Sequence, residues 1–438
     1  MGRIFRVRKR KKKNTLDHPR VNSTKEYLEL IDWMKKSGWK PSCKLVSAHF
    51  QNTGRGLMAK KKIVAGSAIA RIPYRLLITV KTVLESAIRW IFDVKRFFST
   101  QQVLSTFLIW EAHLEHLSTW KNYIDCLPTT FSCPAFCDDV SWLPTFLLEK
   151  AEDVRGNISK TYSVIRESIQ SKKCAHCSRE MSSIFTFQKY VWAWCIVSTR
   201  AVYLCPKFNA QNYIMLSDEN NLALAPYIDL FNHSYTADVK TCVIESEGVY
   251  QIETAVAFDK NSQVFINYGP LSNDRLFMDY GFIIPTNVQD SVVISYDVVL
   301  RAANDYTPLN RHINEYRCKF LREKGLFTNV SCYAGGLSWD CQALIYVFSC
   351  AASCKIDDIK QNIFSDRFKK DSWETICDIG KSIIDAKLVE FEKELRALNE
   401  RGTAVEMFGD CFVVASNLLR EYIDLLNRCY ICLNRKND

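Results

Sequence analysis

The sequence predicts an α+β fold in which a helical insert interrupts a set of short strands and an all-helical C-terminal domain follows. Three changes in the spacing of apolar residues lead to this prediction. Near residue 80 the spacing changes from alternation to a helical period, near residue 217 it returns to alternation, and near residue 284 it becomes helical again. Because 438 residues exceed what one hydrophobic core usually organises, we expect more than one packed unit.

The first strand-rich region covers residues 44–79, where glycines and Pro73 punctuate short apolar runs such as residues 69–72. From residue 80 to 217, apolar side chains recur at helical spacing, which predicts the insert. The residues that show this spacing most clearly are Val103, Leu104, Phe107, Leu108, Leu114 and Leu117.

Strand patterns return at residues 222–283, where apolar side chains alternate on both sides of the turn Glu247-Gly248 and predict a hairpin. A further strand is predicted to end at Tyr268. Beyond residue 284 two long helices are predicted. Their apolar faces are formed by Leu388, Phe391, Leu395 and Leu398, and by Leu418, Leu419, Tyr422, Leu425, Leu426 and Cys429.

The net charge of +10 is concentrated at the N-terminus, because residues 1–13 contain eight Arg or Lys and no acid. The remaining 50 basic residues are nearly balanced by 48 acidic ones, so we expect no specific nucleic-acid binding. Residues 1–22 are predicted to be a disordered arm. It is interpreted as a nuclear-import signal that contacts importin, an arm for acidic partners, or a solvated tail.

The 18 cysteines lie largely in apolar stretches, which indicates reduced thiols in the nucleus and cytoplasm. Cys133 and Cys137, together with Cys174 and Cys177, could form a four-thiolate zinc site, but their spacing is irregular and ordinary core cysteines are favoured. We therefore expect no metal. The longest apolar run, residues 191–197, is too short for a bilayer, so no membrane association is expected.

Three local motifs can carry chemistry. The first, Thr53-Gly-Arg-Gly-Leu57, extends into a formal G-x-G-x-x-A, the phosphate-binding pattern of dinucleotide folds. That pattern requires a following helix, whereas residues 60–66 favour a turn and a strand. We therefore predict that Gly54 and Gly56 allow the backbone to approach a ligand closely, with a plain tight turn as the alternative.

The second motif, Ala225-Pro-Tyr-Ile-Asp-Leu-Phe-Asn-His-Ser234, ends in a polar cluster that contains Asp229, Asn232 and His233. Asn offers both donors and acceptors, so this cluster could hold a ligand, although its groups could also satisfy one another. The third motif contains two Tyr-Gly pairs, Tyr268-Gly269 and Tyr280-Gly281, which bracket one short predicted helix.

These motifs, in this order and with the aromatic stretch at residues 192–200 in the insert, resemble the SET-domain methyltransferases of the Rubisco large-subunit methyltransferase-like branch. The resemblance implies a split SET domain at residues 23–283, with small sheets, a pseudoknot and an insert at 80–217. It also implies a helical substrate-binding domain at 284–438.

The resemblance further implies S-adenosylmethionine as cofactor and the side chain of a protein lysine, histone or other, as acceptor. A histidine acceptor and a catalytically inactive interaction module are the alternatives. Tyr268 is implied to be catalytic, and Arg200, Tyr280 and Phe282 to bind substrate. The residues implied to bind the cofactor are Gly54, Arg55, Gly56, Arg200, Asp229, Asn232, His233 and Tyr268.

Overall fold

A computed structural model describes residues 19–92, 96–204, 215–218, 222–308, 311–325, 328–365, 367–400 and 404–435. The predicted basic arm lies mostly at residues 1–18, outside the described residues. Its last residues differ from the prediction, because Arg20–Val21 forms a short strand that pairs with residues 48–49. The backbone hydrogen bonds of a sheet edge therefore order this part of the chain.

The strands of the described residues are short, and most have two to six residues. They are β1 (Arg20–Val21), β2 (Leu45–Phe50), β3 (Gly54–Ala59), β4 (Ser67–Pro73), β5 (Phe97–Phe98), β6 (Ala201–Tyr203), β7 (Met215–Leu216), β8 (Leu222–Leu224), β9 (Asn232–His233), β10 (Val239–Ile244), β11 (Val249–Thr254), β12 (Gln263–Ile266), β13 (Val292–Val293), β14 (Ser331–Tyr333) and β15 (Gly336–Leu337).

The helices of the described residues vary from single turns to two long C-terminal helices. They are α1 (Lys25–Lys36), α2 (Val80–Leu84), α3 (Thr100–Leu114), α4 (Lys121–Ile124), α5 (Thr145–Ile169), α6 (Met181–Ile184), α7 (Phe187–Arg200), α8 (Asn273–Tyr280), α9 (Tyr296–Tyr306), α10 (Arg311–Glu323), α11 (Trp339–Ser349), α12 (Ile356–Phe364), α13 (Arg367–Asp371), α14 (Trp373–Glu400) and α15 (Ala404–Leu433).

The chain forms two compact units. The first contains the chain up to Leu127 and residues 200–269, and the second contains residues 128–199 and the chain from Pro270. The predicted insert, residues 80–217, therefore does not pack as one piece. Its middle part joins the second unit because Trp142, Leu143 and Leu147 are buried in the same apolar core as the C-terminal helices. The boundaries at residues 23, 283 and 284 stay predictions.

In the first unit, a five-stranded sheet has the order β1-β2-β3-β12-β9. A second sheet has the order β10-β11-β4. The predicted hairpin is confirmed, since β10 and β11 pair with Cys242 opposite Gln251. Its turn depends on Gly248, whose φ of 62° lies in the left-handed region that glycine adopts without strain. The α+β class is confirmed.

In the second unit, helices α9, α11, α14 and α15 surround a large apolar core. Both predicted C-terminal helices are present. The region is not entirely helical, however, because β13, β14 and β15 form a small antiparallel sheet. Strands of three residues before Gly335 and two after it are too short for an alternation to be recognised in the sequence. Across the described ranges, no helix has the length and apolar character needed to cross a membrane.

The core of the second unit gives a stability prediction. Phe391 in α14 is 1% exposed and its ring lies 5.3 Å from that of Phe146, whereas Val389 in the same helix is 64% exposed. Phe391→Ala is expected to lower the free energy of unfolding by about 3–5 kcal/mol, because it leaves a cavity. The control Val389→Ala is expected to stay within about 0.5 kcal/mol. Chemical denaturation measures both, and equal effects would contradict the described packing.

Candidate active site

Strand β12 brings the motifs of the first unit together. On one side it pairs antiparallel with β3, with Val264 opposite Leu57. On the other side it pairs parallel with β9, with Phe265 opposite Asn232. Three segments far apart in sequence therefore meet at one part of the sheet: the Gly54–Gly56 segment, the Asn232-His233 pair and Tyr268, which follows β12.

The glycine motif forms a strand rather than a turn that leads into a helix. Gly54–Ala59 is β3, which pairs with β2 along its whole length, so the dinucleotide-binding alternative is wrong. Asn232 Nδ2 donates to the carbonyl oxygens of Thr53 and Arg55, both at 3.1 Å. A Cβ atom on Gly56 would lie 2.8 Å from this pinned Nδ2 and 2.4 Å from Gln263 Nε2. The close approach therefore requires glycine.

His233 and Tyr268 form the next part of the site. Nδ1 of His233 accepts a hydrogen bond from the backbone N–H of Tyr268 at 3.1 Å, and the two rings stack with centroids 5.1 Å apart. Burial lowers the pKa of His233, and a backbone hydrogen bond at Ile266 opposes this only in part. The imidazole is therefore held neutral and serves to fix the backbone of Tyr268.

The hydroxyl of Tyr268 donates to the carbonyl oxygen of Phe231 at 2.6 Å. Its phenol is therefore held at a definite position. The segment that supplies this carbonyl starts with a strained residue, because Tyr227 has φ 74° although it is not glycine. Packing of the buried Tyr227 ring against Trp39, with centroids 4.7 Å apart, helps to maintain this conformation.

A buried charge cluster lies next to this segment. Nη1 of Arg200 donates to the backbone oxygen of Asp229 at 2.9 Å and to its Oδ2 at 3.2 Å. Nη2 of Arg55 donates to the carbonyl oxygen of Cys126 at 3.1 Å. Burial, followed by the like charge of Arg200, lowers the pKa of Arg55. Two guanidinium groups and one carboxylate give the cluster a net positive charge, which favours an anionic ligand.

Two polar atoms of this cluster are buried without a hydrogen-bond partner among the described residues. They are Nε of Arg200, which is a donor, and Oδ1 of Asp229, which is an acceptor. An unsatisfied buried polar atom costs about 1–3 kcal/mol, so each marks a position where a ligand group would be stabilised. One donor and one acceptor of opposite charge match a zwitterion such as the amino-acid end of a ligand.

Part of the cluster could not be found from the sequence. Tyr123, whose hydroxyl donates to Asp229 Oδ2 at 3.1 Å, lies 106 residues before Asp229 and belongs to no recognisable motif. The carbonyl oxygens of Phe231 and Cys126 were also missed, since a backbone acceptor has no sequence signal. Gln263, which accepts from the Thr53 hydroxyl at 2.8 Å, lies in none of the three sequence motifs.

The comparison with known proteins agrees with this geometry. Residues 54–269 match the family model of the SET domain. The chain is also 30% identical over 430 residues to SET domain-containing protein 4 of Homo sapiens, across 97% of this chain and 96% of the relative. The chain belongs to the SET-domain methyltransferase family.

Further members of the family act on different residues. A ribosomal lysine N-methyltransferase of Schizosaccharomyces pombe is 25% identical across 77% of this chain and 78% of its own. An actin-histidine N-methyltransferase of Xenopus tropicalis is 26% identical across 62% of this chain and 45% of its own. The solved SET domain of Rubisco LSMT bound to lysine and AdoHcy shares the fold, with a TM-score of 0.56, 16% identity, and coverage of 93% of this chain and 90% of that chain.

The SET methyltransferases use S-adenosylmethionine, and the residues of this chain fit that cofactor. The unsatisfied Arg200 Nε would bind its carboxylate and Asp229 Oδ1 its ammonium group. The absence of a side chain at Gly56 lets the Asn232 amide pack closely against β3, and Asn232 and His233 lie at the same end of the sheet. The predicted cofactor residues of the first unit are thus brought together.

Tyr280 and Phe282, the predicted substrate residues, lie in the second unit. Tyr280 ends α8, and its ring lies 6.1 Å from that of Phe282 in an edge-on arrangement. Between them, Gly281 has φ 78°, and its carbonyl oxygen accepts from the Ser132 hydroxyl at 2.8 Å. Burial raises the pKa of Tyr280. The two rings form a fixed aromatic pair, and their role in substrate binding stays a prediction.

The four cysteines considered as a zinc site do not form one. Cys133 Sγ lies 3.8 Å from the thiol of Cys195. Cys177 accepts a hydrogen bond from Arg179 Nε at 3.4 Å. Among the described residues, the sulfurs of Cys174 and Cys177 lie within 4.8 Å of each other, but neither Cys133 nor Cys137 joins them in a group of possible metal ligands.

His233 gives a prediction about pH. Because burial depresses its pKa, its contribution to stability is complete above the unfolded imidazole value of about 6.5 and is lost as the pH falls through the depressed pKa. The free energy of unfolding of the wild-type protein should therefore fall more steeply from pH 7 to pH 5 than that of His233→Asn. The control His49→Asn, at an exposed position on β2, should keep the wild-type slope. Equal slopes for all three proteins would contradict the assignment.

Proposed function

We propose that the protein is a protein-lysine N-methyltransferase, which transfers a methyl group from S-adenosylmethionine to a lysine side chain of a protein. The observation that carries this proposal is the Tyr268 hydroxyl, fixed at 2.6 Å on the Phe231 carbonyl beside a neutral His233. This arrangement offers oxygen atoms that orient an amine, while the His233 nitrogen that could act as a base is already occupied.

A lysine acceptor needs to lose its proton before it reacts. With a reference pKa of about 10.4, deprotonation at pH 7 costs about 5 kcal/mol. Burial and the net positive charge of Arg55, Arg200 and Asp229 both disfavour the ammonium form and reduce this cost. The site therefore requires no dedicated strong base.

S-adenosylmethionine supplies a methyl group that is activated by its positively charged sulfur. The residues of this chain contribute orientation and electrostatic stabilisation. The Tyr268 oxygen and the Phe231 carbonyl are preorganised by their hydrogen bond and would face the positive charge that develops during transfer. His233 contributes by holding the backbone of Tyr268.

Lysine is favoured over histidine as the acceptor by two observations. The ribosomal lysine N-methyltransferase matches 77% of this chain, against 62% for the actin-histidine N-methyltransferase. The aromatic pair Tyr280 and Phe282 is also suited to packing on the aliphatic stem of a lysine. We propose a ribosomal protein as the first candidate substrate and a histone as the second. We also propose action in the nucleus and cytoplasm, with the basic arm as the import signal.

The proposal that lysine is the acceptor can be tested by methylation of ribosomes and of histones with the full chain. The protein is incubated with each substrate and methyl-labelled S-adenosylmethionine, and the labelled proteins are hydrolysed and separated into amino acids. Label in methyllysine is expected. Label in methylhistidine would overturn the lysine assignment. Binding of AdoHcy without transfer to any protein substrate would favour the inactive interaction module.

The catalytic role of Tyr268 predicts a large loss of rate in Tyr268→Phe. Removal of one oriented hydroxyl should lower kcat by about a hundredfold or more, because the ring stays but the oxygen is lost. Tyr250→Phe is the matched control, since its hydroxyl donates to the Tyr203 carbonyl at 3.3 Å, away from the site. Single-turnover methyl transfer measures both variants. Undiminished transfer by Tyr268→Phe would remove Tyr268 from its assigned role.

A further inference from the structure

Tyr123 is a buried phenol that lies in none of the three sequence motifs. It lies in α4 of the first unit, is 1% exposed, and its hydroxyl donates to Oδ2 of Asp229 at 3.1 Å. Burial, followed by the negative charge of Asp229, raises the pKa of Tyr123 well above its usual value. The hydroxyl therefore stays protonated and serves as a neutral donor to the carboxylate.

Asp229 receives two donors on the same oxygen. Oδ2 accepts from Tyr123 and from Arg200 Nη1, whereas Oδ1 is buried without a partner among the described residues. The Asp229 side chain is 2% exposed, so water has little access to replace a lost donor. The position of the Tyr123 hydroxyl thus decides which carboxylate oxygen faces Arg200 and which one stays open.

Arg200 depends in turn on Asp229. Within the described residues, both hydrogen bonds of its guanidinium end on Asp229, one on the backbone oxygen at 2.9 Å and one on Oδ2 at 3.2 Å. A rotation of the Asp229 carboxylate would remove the second bond and change the direction of the unsatisfied Arg200 Nε. Because the phenol is neutral, it fixes this carboxylate without reducing the net positive charge of the cluster.

We propose that Tyr123 is a positioning residue for the amino-acid end of S-adenosylmethionine, acting through Asp229 on Arg200. The hydroxyl of Tyr123 holds the Asp229 carboxylate in the orientation that leaves Oδ1 open for an ammonium group and Arg200 Nε open for a carboxylate. This inference rests on the cofactor use of the family and requires nothing of the acceptor proposed above.

A double-mutant cycle tests the proposal by calorimetry with AdoHcy as the ligand and the full chain at neutral pH. Tyr123→Phe alone is expected to weaken AdoHcy binding about tenfold, the effect of one hydrogen bond to a charged group. In the Arg200→Lys background, which already lacks the planar guanidinium, the same change is expected to cost less than about twofold. A purely structural role of Tyr123 would not produce this non-additivity.

The matched control is Tyr27→Phe. Tyr27 is a buried phenol of the same unit that accepts a hydrogen bond from the Ser47 backbone N–H at 3.3 Å, and no hydrogen bond links it to Asp229 or Arg200. It should leave AdoHcy affinity unchanged within about twofold. Thermal unfolding of the same samples checks that Tyr123→Phe, which loses one oxygen and keeps its ring, remains folded.

Each other outcome has a definite meaning. Wild-type affinity in Tyr123→Phe would overturn the proposal, and so would an equal loss in the wild-type and Arg200→Lys backgrounds. A loss of the same size in Tyr27→Phe would overturn it as well, by showing a general effect of removing buried hydroxyls. Failure of the wild-type protein to bind AdoHcy would instead contradict the assignment of the cofactor.

Discussion

The site depends on strand β12, which is paired on both sides. Its antiparallel pairing with β3 and its parallel pairing with β9 fix the register of three segments, of which β3 and β12 lie more than 200 residues apart in the chain. A shift of one residue in either pairing would turn the side chains of β12 to the opposite face. The direct consequence is that Gly56, Asn232 and Tyr268 lie at one end of one sheet.

The charge cluster beside this sheet contains features that are energetically unfavourable in the absence of a ligand. Two of its atoms, Arg200 Nε and Asp229 Oδ1, are buried and unsatisfied among the described residues, and Tyr227 adopts a conformation that costs a non-glycine residue about 1–3 kcal/mol. Structures retain such unfavourable features where they serve binding. A zwitterionic group would satisfy both atoms at once. The same short segment, residues 227–233, carries the strained Tyr227, the Asp229 carboxylate and the Phe231 carbonyl that accepts from Tyr268.

The sequence predicted those site residues that lie in short local motifs. Gly54, Gly56, Asn232, His233 and Tyr268 all lie in short segments whose residue types are unusual, and the structure brings them together. The division of the insert was not predictable, because the apolar period of a helix such as α5 indicates that one face is buried but not in which core. Tyr123 could not be found, since its partner Asp229 is distant in sequence and the hydrogen bond exists only after folding.

The central proposal is that the β3 backbone next to Asn232 forms part of the cofactor site, where a side chain at position 56 would displace the Asn232 amide. Calorimetry of AdoHcy binding to Gly56→Ala, with the helical Gly156→Ala as control, tests it most directly. A Cβ at Gly156 meets no atom within 4 Å, whereas one at Gly56 lies 2.8 Å from Asn232 Nδ2, which its hydrogen bonds to the Thr53 and Arg55 carbonyl oxygens hold in place. The account predicts wild-type affinity for Gly156→Ala and a loss of about tenfold or more for Gly56→Ala. Wild-type affinity in Gly56→Ala would contradict it.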